Sequence, residues 1–182
     1  MGKPKSYCEA VALLENTSIH RLYHDTAYGF QILDDNELFE RLILEINQAG
    51  LNWTVILNKQ DNFEKAFHDF NVRKVASYSD ADRRRLLNDS GIIRNRLKID
   101  AAIHNANVIL QLQKDFGSFK NWLDRHHPLT KHEWTKLFKK TFKFTGVEIV
   151  NEFLVSTGYL RGSHLDTCAI YKKIIKSKPA WL

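Results

Sequence analysis

The two cysteines of this chain stand near its opposite ends, and each of these end segments also contains a histidine. Cys8 is followed by His24, and His164 stands shortly before Cys168. Two thiolates and two imidazoles are a common tetrahedral ligand set for a structural zinc ion. A single ion bound by all four side chains would bring the two ends of the chain together. The sequence therefore predicts a zinc site at these four positions.

Two other interpretations of the cysteines stay open on spacing alone. Cys8 and His24 are farther apart than the ligands of a compact zinc finger. The cysteines can be small buried residues without a ligand, which is common in reducing compartments. Because there are two of them, they can also form one disulfide, Cys8–Cys168. The polar segment Met1–Glu9 lacks the apolar core of a secretory signal. We therefore expect a cytoplasmic protein with free or metal-bound thiols.

Length and charge narrow the class of protein. The chain has 182 residues and a formal net charge of +6. This length is typical of one domain, so we expect residues 1–182 to form a single domain, and it also allows two lobes within that domain. No stretch approaches the roughly twenty apolar residues of a membrane span, so we expect a soluble protein that does not bind membranes. The positive charge favours an anionic partner such as nucleic acid.

Helical periodicity and capping signals predict an all-α protein. Gly50 is a natural end for a first helix, and Asn52 can begin the next. Ser79 with Asp82 and Thr130 with Glu133 are capping pairs. Strand signals are weak and limited to Gly29–Leu33. The predicted helices cover Asn36–Gly50, Trp53–Gln60, a segment after Ser79, Arg94–Phe116, Lys131–Lys140 and Val147–Thr157.

A carboxylate falls on the apolar face of the predicted helix Asn36–Gly50. Glu45 shares that face with Leu38 and Leu42, where burial of a charge is costly without a polar or cationic partner. Trp53 follows directly after the turn. This pair predicts a pocket for a flat, cationic ligand. The alternative is that Glu45 lies at the edge of the apolar stripe and points to water.

A second segment, Leu86–Ile99, predicts a helical hairpin. Gly91 marks the turn between two helices, and basic residues surround the start of the second helix. Free N–H groups at a helix start bind phosphate well. The pattern fits a helix-hairpin-helix that grips the DNA backbone, with Ile93 where a second glycine is usual. The basic residues are Arg94, Arg96 and Lys98. An ordinary αα-hairpin with a solvated basic turn is the alternative.

A third segment, Lys139–Gly146, alternates lysines with Phe142 and Phe144 just before a predicted helix. The lysines can contact phosphate groups. Equally, the two phenylalanines can belong to the core while the lysines are simply solvated.

Taken in order, these segments resemble the bacterial 3-methyladenine DNA glycosylase I family, a zinc-containing branch of the helix-hairpin-helix glycosylases. The likeness runs from about residue 8 to residue 168. The pieces that carry it are Tyr23-His24-Asp25 with Gly29, Leu44-Glu45, Gln48-Ala49-Gly50-Leu51-Asn52-Trp53, Gly91-Ile92-Ile93-Arg94-Asn95 with Lys98-Ile99 and Asn105-Ala106, Phe142-Lys143-Phe144 with Gly146, and His164 with Cys168.

The resemblance implies a fold, an activity and roles for individual residues. The fold is an all-α helix-hairpin-helix glycosylase in which structural zinc joins the N- and C-terminal segments. The activity is monofunctional removal of 3-methyladenine from alkylated double-stranded DNA by base flipping, and we expect a monomer. The implied roles are catalysis for Glu45 and Tyr23, base binding for Trp53, Tyr28 and His20, DNA binding for Gly91, Ile93, Arg94, Arg96 and Lys98, and zinc binding for Cys8, His24, His164 and Cys168.

The chain departs from the family pattern near the expected base pocket. Tyr28 and His20 replace residues that are usually a tryptophan and another aromatic residue, and the tryptophan expected soon after Cys8 is absent. These departures favour a first rival, a zinc-stabilised DNA-binding protein that does not excise bases. A second rival is a thiol hydrolase that uses Cys8 or Cys168 with a histidine. It explains neither Glu45 nor the hairpin.

Overall fold

The computed structural model describes residues 4–182, and every regular element in that range is an α-helix. The helices are α1 (Tyr7–Ala12), α2 (Ile19–Thr26), α3 (Asp35–Gln48), α4 (Trp53–Leu57), α5 (Gln60–Ala66), α6 (Val72–Ala76), α7 (Asp80–Asn88), α8 (Arg96–Phe116), α9 (Phe119–His126), α10 (Lys131–Thr141), α11 (Val147–Ser156) and α12 (Tyr171–Lys176). The predicted all-α class is confirmed. No helix within residues 4–182 has both the length and the apolar character needed to cross a bilayer.

The chain divides into two compact units. A central unit is continuous in sequence and covers Leu33–Phe153. A terminal unit combines the described residues up to Ile32 with Leu154–Leu182. The terminal unit is therefore built from both ends of the chain, and the central unit from the sequence between them.

Helix α3 organises the central unit. The Asp34 side chain caps its start by accepting hydrogen bonds from the N–H groups of Asn36 and Glu37. Its apolar face is fully buried and packs against α4, α8 and α9. The Asp35 carboxylate accepts hydrogen bonds from the N–H groups of Phe119 and Lys120, which fixes the start of α9 to the start of α3.

Local sequence signals set most helix ends. Both predicted capping boxes form, one at Ser79 and Asp82 and the other at Thr130 and Glu133. Gly50 follows α3 with a φ of +80°, a conformation that glycine adopts without strain. Helix α8 begins at Arg96 rather than Arg94, because the Asn95 side chain accepts the N–H of Lys98 and caps it there.

The weak strand signal at Gly29–Leu33 does not correspond to a strand in the structure. This segment has no regular structure. The Gly29 N–H donates to the Ser156 carbonyl at 2.8 Å, so the chain here bonds to the end of a helix and not to a neighbouring strand. A side chain at Gly29 would clash with Ser163, since an added Cβ would lie 2.2 Å from its Oγ.

Candidate functional site

The four predicted metal ligands meet in the terminal unit. Cys8 lies on α1 and His24 on α2, while His164 and Cys168 lie in the loop before α12. One ligand atom from each side chain falls within 4.8 Å of all the others. Both histidines are buried, at 4% and 6% exposure, and both thiols are partly exposed.

The distances between sulfur and nitrogen atoms fit a tetrahedral ion. His24 Nε2 lies 3.4 Å from Cys8 Sγ and 3.8 Å from Cys168 Sγ. His164 Nδ1 lies 3.8 Å and 3.6 Å from the same two atoms. Tetrahedral zinc with ordinary Zn–S and Zn–N bonds would separate S and N by roughly 3.5 Å. These four residues can therefore hold one metal ion.

Neighbouring acceptors orient both imidazoles toward the thiols. His24 Nδ1 lies 2.6 Å from Asp25 Oδ1, and His164 Nε2 lies 2.8 Å from the Tyr28 carbonyl oxygen. Each acceptor assigns the ring proton to the nitrogen that faces away from the thiols, so the other nitrogen has a free lone pair. Burial lowers the pKa of His164, which favours the neutral form that binds metals.

Aromatic side chains cluster beside these ligands. The Tyr7 ring centre lies 5.9 Å from that of His20, 6.5 Å from Tyr23 and 5.4 Å from Tyr28. The Tyr7 hydroxyl lies 3.0 Å from His20 Nδ1, and burial raises the pKa of Tyr7 to about 12. The sequence identified three members of this cluster but missed Tyr7. Tyr7 directly precedes Cys8 in the sequence. This position next to a candidate metal ligand could have predicted that Tyr7 lies beside the site.

In the central unit, Glu45 lies on the last turns of α3 and is only 4% exposed. The alternative that it points to water is therefore wrong. Trp53 begins α4, a short turn later in the chain. A buried carboxylate and an indole thus flank the segment 46–52.

Lys98 holds the turn between these two side chains. It is 5% exposed, and its ammonium donates to the carbonyl oxygens of Asn47 at 2.8 Å and Ala49 at 2.7 Å. The Phe144 ring centre lies 5.9 Å from the same ammonium. Burial lowers the pKa of Lys98. The sequence predicted Lys98 as a DNA contact, but this geometry gives its side chain an internal partner at the end of α3.

The first hairpin connects α7 and α8 through residues 89–95. The Gly91 N–H donates to Asp89 Oδ1 at 2.8 Å, and an added Cβ at Gly91 would lie 2.9 Å from that oxygen. The Lys59 ammonium donates to the Ser90 and Gly91 carbonyls at 3.0 Å each. Arg94 and Arg96 are exposed, and Ile93 is half-buried. Arg96 lies 3.8 Å from the Asp100 carboxylate.

A second hairpin connects α10 and α11 through residues 142–146. Buried Asn105 fixes it, because its side chain accepts the Lys143 N–H at 2.8 Å and donates to the Lys143 carbonyl at 3.1 Å. Phe142 is buried, whereas Phe144 is 39% exposed and has a φ of +62°. The two phenylalanines, equivalent in the sequence pattern, thus have different roles. Asn105 belongs to the family resemblance, but the sequence did not predict that its side chain fixes this hairpin.

Known proteins identify the family. Residues 13–137 match the family model described as methyladenine glycosylase. The chain belongs to the methyladenine glycosylase family.

Two curated relatives in the methyladenine glycosylase family cover most of this chain. DNA-3-methyladenine glycosylase 1 of Escherichia coli (strain K12) is 34% identical over 82% of this chain and 89% of its own length. DNA-3-methyladenine glycosylase of Haemophilus influenzae is 32% identical over 83% of this chain and 91% of its own length. A crystal structure of a 3-methyladenine DNA glycosylase I variant in complex with 3-methyladenine is 29% identical, covers 86% of this chain and 94% of that one, and has a TM-score of 0.79.

The match to the methyladenine glycosylase model covers part of the candidate site. Glu45, Trp53 and the hairpin 89–95 lie inside residues 13–137, and so does His24. The other three metal ligands lie outside them. The geometry of the four side chains is therefore what supports a metal site.

Proposed function

We propose that this protein is a monofunctional DNA glycosylase that excises 3-methyladenine from alkylated DNA. The observation that carries the proposal is membership of the methyladenine glycosylase family, with curated relatives of that activity over more than four-fifths of the chain. A buried carboxylate near the end of α3 and an indole at the start of α4 suit a flat, cationic base.

The chemistry explains why these side chains suit the reaction. Adenine methylated at N3 carries a positive charge in DNA, which weakens its glycosidic bond. The base must leave the helical stack before an enzyme can bind it. The C1′–N9 bond then breaks, its electron pair goes to the base, and 3-methyladenine departs as a neutral molecule. Water adds to C1′ and loses a proton, which leaves an abasic site.

Two residues of the central unit would select the cationic base. Trp53 would stack on it, because an aromatic face attracts a cation more than a neutral ring. Glu45 would favour the same charge and accept a hydrogen bond from the exocyclic amino group. Selection of the charged base and correct orientation of a good leaving group would supply most of the rate enhancement.

Three residues of the terminal unit keep the roles that the resemblance implies. Tyr23 remains a predicted catalytic residue, and Tyr28 and His20 remain predicted base contacts. The hydrogen bond between His20 and Tyr7 supports an ordered His20 ring. That the 182 residues work as one domain also remains a prediction.

The environment of Lys98 supports a monofunctional enzyme. A lyase needs a lysine amine that can attack the sugar C1′ atom. The Lys98 ammonium instead donates to two backbone carbonyls and is nearly inaccessible to solvent. We therefore expect the reaction to stop at the abasic site.

The substrate would be double-stranded DNA, and the protein would act as a monomer. Gly91, Ile93, Arg94 and Arg96 would bind the backbone at the first hairpin. The second hairpin, residues 142–146, ends at the positive start of α11 and follows lysines on α10, so it suits phosphate equally well.

The metal would be zinc, in a structural role. Two thiols and two imidazoles match zinc better than calcium or magnesium, which prefer oxygen ligands. All four coordination positions would be filled by protein, as in structural sites. Bound zinc would crosslink α1, α2 and the loop before α12. The four side chains would also exclude water from the ion, so no catalytic role is expected.

Base release from methylated duplex DNA tests the proposal directly. Free bases released by wild-type protein, Glu45→Gln and Trp53→Ala would be separated by chromatography. We expect 3-methyladenine from the wild type and roughly 10- to 100-fold slower release from Glu45→Gln, since a hydrogen bond to a charged group contributes about 1.5–3 kcal/mol. Glu40→Gln, another carboxylate on α3, is the matched control and should excise normally.

The base-release experiment tests the glycosylase activity and the assignment of Glu45 and Trp53 to the pocket separately. Normal release by both Glu45→Gln and Trp53→Ala would contradict the pocket but not the activity. No release above the spontaneous rate from folded wild-type protein would overturn the glycosylase itself. The DNA-binding protein without excision, which the departures at Tyr28 and His20 favour, would then become the better assignment.

A further inference from the structure

The C-terminal segment of the terminal unit has a concentrated positive charge. Residues 167–182 contain Lys172, Lys173, Lys176 and Lys178 and no acidic residue. All four lysines are exposed. None of them forms an ion pair with any residue in the described range 4–182. We call these four side chains the C-terminal lysine surface.

The backbone beneath this surface is well anchored. Ile174, between the lysines, is fully buried, and Pro179 after them is buried as well. The Trp181 ring stacks on Tyr171 with a centroid distance of 6.4 Å. The Arg161 guanidinium lies 5.7 Å from the Trp181 ring centre. A partner that binds this surface would therefore pay little for ordering the backbone.

The last acidic residue before this surface in the sequence is already engaged. Asp166 is bound to Arg161, whose Nη2 donates to both carboxylate oxygens at 3.0 and 3.1 Å. It therefore does little to neutralise the lysines. Lys172 and Lys176 are four positions apart on α12, and like charges at that spacing destabilise an isolated helix. A fixed cluster of unpaired like charges is typical of a surface that binds an anionic partner.

We propose that the C-terminal lysine surface binds the phosphate backbone of duplex DNA outside the target base. This inference rests on the proposed function, because DNA is the anionic polymer on which a glycosylase acts. A membrane is less suitable, since a membrane-binding helix exposes its apolar residues beside its lysines. Of the two isoleucines of α12, Ile174 is fully buried and Ile175 is half-buried. The contact is sequence-independent and adds affinity for long DNA.

The salt dependence of DNA binding tests this surface. The variant Lys172→Gln, Lys173→Gln, Lys176→Gln, Lys178→Gln and the wild type would be titrated with a fluorescein-labelled 30-base-pair undamaged duplex at several KCl concentrations. Each lost phosphate contact lowers the slope of log K against log salt by about 0.9. We expect the slope to fall by about 2 to 4 and binding at 100 mM KCl to weaken by about tenfold or more.

A matched variant removes the same charge elsewhere. Lys65, Arg73, Lys74 and Lys114 are exposed residues of the central unit, and all four would be changed to glutamine. Lys114 lies at the far end of α8, about 24 Å along the helix from Lys98 and hence from the first hairpin. This control should retain the wild-type slope within about one unit. Both variants should keep the wild-type melting temperature, because every altered side chain is exposed.

Three results would overturn the proposal. The first is a wild-type slope in the C-terminal variant. The second is an equal loss of slope in both variants, which would indicate a general effect of net charge. The third is lysine-dependent binding to vesicles of phosphatidylserine and phosphatidylcholine that is tighter than binding to the duplex.

Base excision separates this inference from the proposed function. The C-terminal variant should need more methylated DNA than the wild type to reach half of its maximal rate of 3-methyladenine release, because its lysines contribute to DNA binding. If the wild type releases no base but its DNA binding depends on the four lysines, the glycosylase fails and the surface stands. If the wild type releases base and the slope is unchanged, the surface fails alone.

Discussion

Glu40 is a carboxylic acid held in an unfavourable environment within the central unit. Burial, and then the nearby carboxylate of Glu64, raise its pKa to about 7. The Gln60 side chain donates to Glu40 at 2.8 Å and to Glu64 at 3.3 Å, so one amide links the two acids. The protonated form of Glu40 is therefore favoured in the folded protein.

Stability should decrease as pH rises through this pKa. Between about pH 4.5 and pH 7 the folded state binds a proton at Glu40 that the unfolded state has lost, so folding is favoured at the lower pH. Glu40→Gln should remove this dependence and stabilise the protein at pH 8 by about 1 to 3 kcal/mol. Urea unfolding at pH 5 and pH 8 measures the difference.

Glu37→Gln is the control for that measurement. Glu37 lies on the same helix and is exposed, so its replacement should leave the pH dependence nearly unchanged. Equal stability of wild type and Glu40→Gln at pH 8 would show that water or local motion relieves the burial of the acid.

For single residues, the sequence predicted which rare side chains form the candidate site better than it predicted the contacts that each side chain makes. The four candidate metal ligands were recognisable because the chain has only two cysteines. The role of Lys98 was not recognised, although it stands four positions before buried Ala102 and seven before buried Asn105. A lysine on the buried stripe of a helix needs an internal acceptor. The Asn47 and Ala49 carbonyls cannot be identified as that acceptor before α3 and α8 are packed together.

Two lysines hold two turns of the central unit, and their removal should have different effects. Lys98 holds the turn after α3, and Lys59 holds the first hairpin. Lys98→Met should destabilise the protein by about 2 kcal/mol, because it leaves one buried and one part-buried carbonyl without this donor. It should also weaken binding of free 3-methyladenine, since Trp53 follows that turn. Urea unfolding and tryptophan fluorescence quenching by the base measure the two effects.

Lys59→Met is the matched comparison. It should weaken binding to duplex DNA while leaving binding of the free base unchanged, because its partners are the carbonyls of Ser90 and Gly91. Identical effects of the two variants on the base and on DNA would mean that neither turn has a separate role.

Helices with strong end signals were predictable, and short helices were not. The capping pairs and Gly50 predicted α3, α7 and α10 closely. Helices such as α1 and α6 have six and five residues, too short for periodicity to show. Their helical form depends on tertiary packing and not on propensity.

The four proposed metal ligands come from parts of the chain that are remote in sequence, so loss of a bound metal should affect the terminal unit first. Chelation of the metal, or Cys168→Ser, should lower the melting temperature by roughly 10 °C, since a metal site formed only in the folded state stabilises that state. Metal analysis of the purified variant should show less than one zinc per chain. Calorimetry gives the melting temperature.

Thr167→Ala is the control, because this exposed neighbour of Cys168 supplies no ligand. It should keep both the metal and the melting temperature. Full zinc content and unchanged melting in Cys168→Ser would show that the four side chains are not a metal site.

The sequence predicted the fold class, but it did not predict where the chain divides into the central and terminal units. Helical patterns predicted an all-α protein, and the predicted zinc site implied that the two ends meet. The limits of the central unit at Leu33 and Phe153 follow from long-range packing and have no clear composition change to mark them.

Because 156 positions separate Cys8 from His164, the ribosome also imposes an order on assembly. At about 5 to 20 residues per second, the first ligand waits roughly 8 to 30 s before its last partners are synthesised. The last residue of the central unit, Phe153, is synthesised only 11 residues before His164. During synthesis the N-terminal helices must therefore remain without their final partners while the sequence between them and the C-terminal loop is made. A chaperone that binds nascent chains would find its target in this protein at the first thirty residues.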